Sequence, residues 1–201
     1  MGLNKSNGLN FGSNEDNGGG GGGGDRYQKV DYIESGGAAW CLLDVKPDDT
    51  LKIRIKFKMK AAGGGSFIGT TNFRFFCVSF STTYLDYGGE GSNRISASFV
   101  TSNSTIYNVE LGNLYMKDLD TDTVIVQGTP VSFSELSGKL KLFSNVDYGS
   151  VYSIQIEKGG ETVKDYIAVL DTKTNIYGLY DKVTETFVPS AGDADFTGGN
   201  E

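Results

Sequence analysis

Histidine is absent from all 201 residues. That removes the commonest general base, the commonest zinc ligand and the side chain that titrates near neutrality. No cofactor is expected. Proline occurs three times and cysteine twice, as Cys41 and Cys77. Both cysteines lie in apolar strand-like runs, where a free thiol packs as a small hydrophobe. A disulfide between them needs an oxidising compartment and adjacent Cβ atoms. No apolar run approaches the ~18–20 residues of a membrane span, and no apolar signal core stands near residue 1, so membrane insertion is not expected. Net positive charge is lacking as well. A formal charge of −7 argues against a nucleic-acid binder, whose surface is normally basic. No segment sustains a 3.6-residue apolar period, so very little helix is expected.

What the chain does have is glycine, at 29 residues, with 11 Tyr, 12 Phe and one Trp. That balance suits short strands and tight turns. Residues 51–60 read LKIRIKFKMK. Leu51, Ile53, Ile55, Phe57 and Met59 alternate with Lys52, Arg54, Lys56, Lys58 and Lys60, which puts apolar side chains on one strand face and cations on the other. Ten such residues would extend ~33 Å, enough to cross a small sandwich. The cation row is expected to be a solvated outer face that keeps an exposed strand from mispairing. Alternatively Lys52, Arg54, Lys56 and Lys58 contact an acidic partner, setting orientation more than affinity.

Two parts are expected. Residues 1–24 form an Asn/Gly-rich arm that closes in glycines from 18 to 24, and residues 25–201 form the folded domain. The glycine run should behave as a flexible coil on its own. Leu3, Leu9 and Phe11 are the arm's only large apolar side chains after Met1, and are its expected anchors if it orders on a partner. Met1-Gly2-x-x-x-Ser6 fits a myristoylation pattern, which six residues match readily by chance. Within the domain, strands are expected at 32–35, 39–45, 51–60, 67–70, 73–80, 84–87, 94–101, 106–111, 114–116, 124–127, 139–143, 151–157 and 162–170. Residues 118–122 and Gly159-Gly160 read as hairpin turns. Strands recurring at this spacing argue for an all-β, two-sheet antiparallel sandwich or jelly roll.

The tail carries a more specific pattern. It runs Asp165-Tyr166-Ile167-Ala168-Val169-Leu170-Asp171, then Gly178-Leu179-Tyr180-Asp181-Lys182-Val183-Thr184, then Phe187, Ala191-Gly192 and Asp195-Phe196-Thr197. With Tyr32-Ile33-Glu34-Ser35 near the start, it resembles a family of concanavalin A-like (laminin-G-like) jelly-roll domains. Such domains occur in phage structural proteins and in surface proteins of gut bacteria. The resemblance covers about residues 27–198 and implies a role in binding or assembly, with no fixed chemistry. It departs at Trp40, where a smaller aromatic or a polar residue is expected, and it leaves out the arm.

Glucanases of this fold use paired carboxylates at alternate strand positions. No E-x-D-x-x-E or E-x-D-x-E occurs on an expected strand. Asp118, Asp120 and Asp122 alternate, but in a turn, and the EF-hand pattern fails at Thr123 and Thr129. A sugar site would use exposed aromatics beside polar groups. Tyr84, Asp86, Tyr87, Asn93 and Arg94, around a glycine loop, are the best local set, with Trp40 as a separate stacking platform. Core packing is the alternative for these aromatics. Asn103-Ser104-Thr105 fits a glycosylation sequon, which matters only in a eukaryotic secretory route.

Residues and resemblance together lead to the expectation of a non-enzymatic phage virion protein, a capsid decoration or head fibre first and a tail appendage next. Its lectin-like head would be held to other virion proteins through residues 1–24, as a homo-oligomer. Many weak heads on one particle would adhere to glycan far better than one alone. A bacterial surface lectin is the alternative, and a glycoside hydrolase is disfavoured by the missing carboxylate pattern.

Overall fold

The computed structural model describes residues 26–59, 65–70, 74–78, 83–86, 94–97, 104–132, 134–144 and 149–201. Among them, seventeen strands form two antiparallel sheets and no helix occurs, so nothing helical is long and apolar enough to cross a membrane. In chain order they begin with β1 (Tyr27–Lys29), β2 (Tyr32–Ser35), β3 (Cys41–Leu42), β4 (Lys52–Met59), β5 (Gly65–Gly69) and β6 (Arg74–Val78). Next come β7 (Thr83–Asp86), β8 (Arg94–Ala97), β9 (Ile106–Gly112), β10 (Tyr115–Asp118), β11 (Thr123–Gln127) and β12 (Lys141–Leu142). The last are β13 (Gly149–Lys158), β14 (Glu161–Asp171), β15 (Ile176–Asp181), β16 (Thr186–Pro189) and β17 (Thr197–Gly199). The larger sheet runs β11-β10-β9-β4-β13-β14-β15-β16, with β1, β2 and β17 branching from it. The smaller runs β3-β12-β5-β6-β7-β8.

Strand β4 behaves as its alternation requires. Ile53, Ile55, Phe57 and Met59 are buried, while Lys52 and Lys56 are exposed and Arg54 and Lys58 half-buried. Phe57 meets Phe67 at 5.1 Å and Phe76 at 5.8 Å between ring centroids, joining the larger sheet to the smaller over one core. Burying one such phenyl ring contributes roughly 1.5–3 kcal/mol. The strand is shorter than ten residues. The Leu51 N–H donates to the Asp48 carbonyl in the preceding turn, so pairing starts at Lys52. Nor is it an exposed strand. With β9 on one side and β13 on the other, β4 has no free edge for its cations to protect.

The hairpin at Gly159-Gly160 forms as expected, with φ of 59° and 86°, the left-handed pair that a two-residue turn matched to strand twist demands. Three longer turns share one design. Asp118, Asp171 and Asp181 each end a strand, and the fourth residue beyond each (Asp122, Asn175, Glu185) is left-handed at φ 54–58°. Each carboxylate accepts the backbone N–H two residues on, from Asp120 at 2.8 Å, Lys173 at 3.0 Å and Val183 at 3.1 Å. Much of the tail pattern is therefore turn chemistry.

Other expectations shift. Residues 39–45 give only the two-residue β3, because Asp44 turns the chain at φ 51°. The Trp40 carbonyl meanwhile accepts from Ala191 N rather than from a neighbouring strand of the sheet. Leu114 is left-handed, at φ 56°, in the turn before β10 and not in that strand. Strands β1, β15, β16 and β17 were not among those expected.

The larger sheet forks. Residues Gly149–Val151 of β13 pair with β2, whereas from Ser153 onward β13 pairs with β14. Past the divergence, β14 takes β1 as its neighbour. Strands β1 and β2 thus fill the gap between the two arms of the β13–β14 hairpin, and β17 lines the far edge of β2.

Candidate functional site

The fork opens a cleft on the face that carries the β4 cations. Strand β13 slips register against β4 between Val151 and Ser153, which leaves Tyr152 as an extra residue. Bulges of this kind re-aim side chains. The Tyr152 ring packs on Tyr32 at 5.8 Å, and its hydroxyl donates to Glu201 Oε1 at 2.9 Å. Lys58 Nζ donates to the same oxygen at 2.8 Å, and the Glu201 N–H donates to Asp31 Oδ2 at 2.8 Å. Beside these contacts lies an open cleft of about 370 Å³. Val30, Ile106 and Ile167 give it apolar walls, and Ser153 lines it too. Its charged lining is Lys29, Asp31, Lys56 and Glu201. Lys56 Nζ lies 5.6 Å from the Tyr152 ring centroid. Bonds from Lys58 and then Tyr152 hold the Glu201 carboxyl below its ordinary range, while burial and the Glu201 contact push the Tyr152 hydroxyl up.

Along the same face, Arg54 is clamped. Its Nε donates to Glu110 Oε2 at 2.7 Å, and its Nη1 donates to Glu157 Oε1 at 2.7 Å and to Gln155 Oε1 at 2.8 Å. The Tyr115 hydroxyl donates to Glu110 Oε1 at 2.6 Å. Burial pushes the Glu110 carboxyl up, but the bonds from Tyr115 and Arg54 outweigh it and leave it below its ordinary value. Lys52 stands opposite Glu157 in the register. Part of the acidic neighbourhood that this cation row calls for is therefore the chain's own.

Trp40 and the described part of the loop set lie apart. Trp40 directly precedes β3, at the opposite edge of the smaller sheet from β7 and β8. Four inter-strand steps, ~19 Å, lie between β3 and β7. Lys141 Nζ sits 3.8 Å from the Trp40 ring centroid, and the ring packs partly buried against the core. A stacking sugar would have to displace that ammonium. Register sets Asp86 opposite Arg94 and Tyr84 opposite Ser96, and Arg94 is exposed. Tyr87, Asn93, the side chains of Tyr84 and Asp86, and the arm anchors Leu3, Leu9 and Phe11 lie outside the described residues.

Elsewhere the polar groups are engaged. Asp118 accepts from Thr121 N within its own hairpin, Asp120 accepts from Asn108 Nδ2 of the neighbouring β9, and Asp122 pairs with Lys117. Among the described residues no group of three or more acids or thiols is placed to hold a metal ion, and no buried side-chain polar atom lacks a hydrogen bond. Cys41 is a free buried thiol, pushed up to about 12 by burial.

Lys29, Asp31, Tyr152 and Glu201 are scattered in sequence, and nothing marks them as a set. One signal does exist. Val151 and Ile154 are both buried yet three apart, which a period of two forbids unless the strand carries an extra residue. The chain matches no family model, no curated protein and no solved structure.

Proposed function

We propose that the chain is a non-enzymatic structural protein of a phage virion, a capsid decoration, head fibre or tail appendage. Its β-sandwich is a concanavalin A-like jelly-roll head, carried on an arm of residues 1–24 that engages other virion proteins. Several copies assemble, and the head adheres to host-surface or mucus glycan. The virion, completed in the host cytoplasm, is its location. Jelly-roll winding is supported by antiparallel pairing of strands far apart in the chain, β4 with β9 and β13 and β2 with β17.

The missing alternation of carboxylates on a strand supports the non-enzymatic reading, and the state of three carboxylates agrees with it. Glycoside hydrolysis by two carboxyls needs one held protonated, its pKa raised. Here Glu110, Asp171 and Asp181 are all shifted the other way by the cations, hydroxyls and amides around them.

Sedimentation through lysate from the native source tests the anchor, comparing the tagged full chain with residues 25–201. The full chain is expected to travel with large particles and the shortened one to stay slow. If both stay slow, the arm is a linker and a bacterial surface lectin becomes the better account.

A further inference from the structure

We infer that the cleft at the fork binds a single sugar ring bearing one anionic substituent, a carboxylate or a sulfate. Glycan recognition by this head is the premise, and the cleft gives it a place and a chemistry. A volume of about 370 Å³ lies at the small end of the ~300–1,000 Å³ typical of small-molecule sites, which suits one ring rather than a chain. Its walls are of two kinds. Val30, Ile106, Ile167 and the Tyr152 ring offer the apolar surface on which the C–H face of a sugar rests, and Ser153, Asp31 and Glu201 offer partners for hydroxyls.

Charge decides the substituent. Of the four charged residues lining the cleft, the two acids each already accept bonds on one oxygen from within the chain. Glu201 takes Lys58 and Tyr152 on one oxygen, and Asp31 takes the Glu201 backbone N–H. Lys29 and Lys56 make no direct ion pair among the described residues, although Lys56 acts on Glu201 through space. Arg54 and Lys58, on the same strand as Lys56, are both neutralised within the chain. The cleft therefore presents two ammonium groups that no carboxylate of the described residues contacts directly. An anionic group on the ring supplies that contact, and such charge-assisted bonds are about twice as strong as neutral ones.

The test titrates full-length protein with galactose, glucuronic acid, galactose 6-sulfate and inorganic sulfate, by calorimetry and saturation-transfer NMR. A K29Q/K56Q double variant and Tyr152→Phe are run alongside. Both lysines are exposed, so the double variant should melt with the parent. At least one acidic ring should bind about tenfold more tightly than galactose, and K29Q/K56Q should abolish that preference. Tighter binding of glucuronic acid assigns the carboxylate, and of galactose 6-sulfate the sulfate. The inference is overturned if no ring binds, if galactose binds as well as the acids, or if the preference survives K29Q/K56Q. Inorganic sulfate binding as tightly as the sugars also overturns it, by showing a site for bare anions. Sedimentation with particles reads the arm and is indifferent to these substitutions. A chain that travels with particles but binds no ring loses the inference and keeps the virion; ring binding without particles does the reverse.

Discussion

The hydroxyl of Tyr166 donates to the backbone carbonyl of Leu43 at 2.7 Å, and both residues are buried. Tyr166 lies on β14 of the larger sheet and Leu43 just past β3 of the smaller, so one hydrogen bond ties the two layers inside an apolar core. Burial pushes this hydroxyl up, keeping it a donor at any pH the fold experiences. Tyr166→Phe keeps the ring but strands the carbonyl, and should cost about 1–2 kcal/mol. Urea unfolding reads this as a lower midpoint with an unchanged slope. An unchanged midpoint would mean that the carbonyl finds another partner.

Acid should act through Asp171. The Arg26 guanidinium, bonded to its carboxylate at 2.9–3.3 Å, outweighs the opposing effect of burial and with the Lys173 N–H lowers its pKa to about 2 from 3.8. A carboxyl depressed on folding stabilises above its unfolded pKa and loses that contribution as pH falls through the folded one. Melting temperature should therefore fall between about pH 4 and pH 2, and Asp171→Asn, already weaker at pH 6, should fall less over that window. Parallel curves for the two proteins would remove Asp171 from the acid response.

Arg54 holds two carboxylates that would otherwise repel. Arg54→Ala should cost about 1–2 kcal/mol, less than a fully buried pair, because the side chain is 39% exposed. Since Glu110 is depressed on folding, the parent's advantage should shrink as pH falls below its ordinary 4.5. Denaturant midpoints at pH 7 and pH 3 check both points. Lysine is a poor substitute, because only a planar fork reaches Glu110, Gln155 and Glu157 together.

The Gly159-Gly160 turn makes opposite demands on two substitutions. Nothing lies within 4 Å of a Cβ at either position, so only backbone conformation counts. Gly159→Asn, a residue that tolerates the left-handed region, should leave stability within about 0.5 kcal/mol. Gly160→Val should cost about 1–2 kcal/mol. Equal effects would place the strain elsewhere.

What the sequence disclosed depended on range. Alternation through Phe57 and the glycine pair at 159–160 are local signals, and both strand and turn form where they point. The partners of Arg54 come from strands 56 and about 100 residues away, which no local pattern announces. The cleft was hidden for the same reason, since it needs β1, β4, β13 and the segment after β17 side by side. For Trp40 the sequence left core packing and a platform both open, because it shows an aromatic and not the Lys141 ammonium above it. Strands β15 to β17 have no such local signal, and the role of Asp171 and Asp181 as turn residues depends on the backbone N–H groups that they accept.

The fork also sets a timetable. Residues 27–29 pair with residues 169–171, and residues 32–35 wait for residues 149–151 on one edge and 197–199 on the other. At about 5–20 residues per second of translation, those first strands leave the ribosome on the order of ten seconds before their neighbours exist. The larger sheet therefore cannot assemble from its beginning as it is made. It closes only when nearly the whole chain has been synthesised.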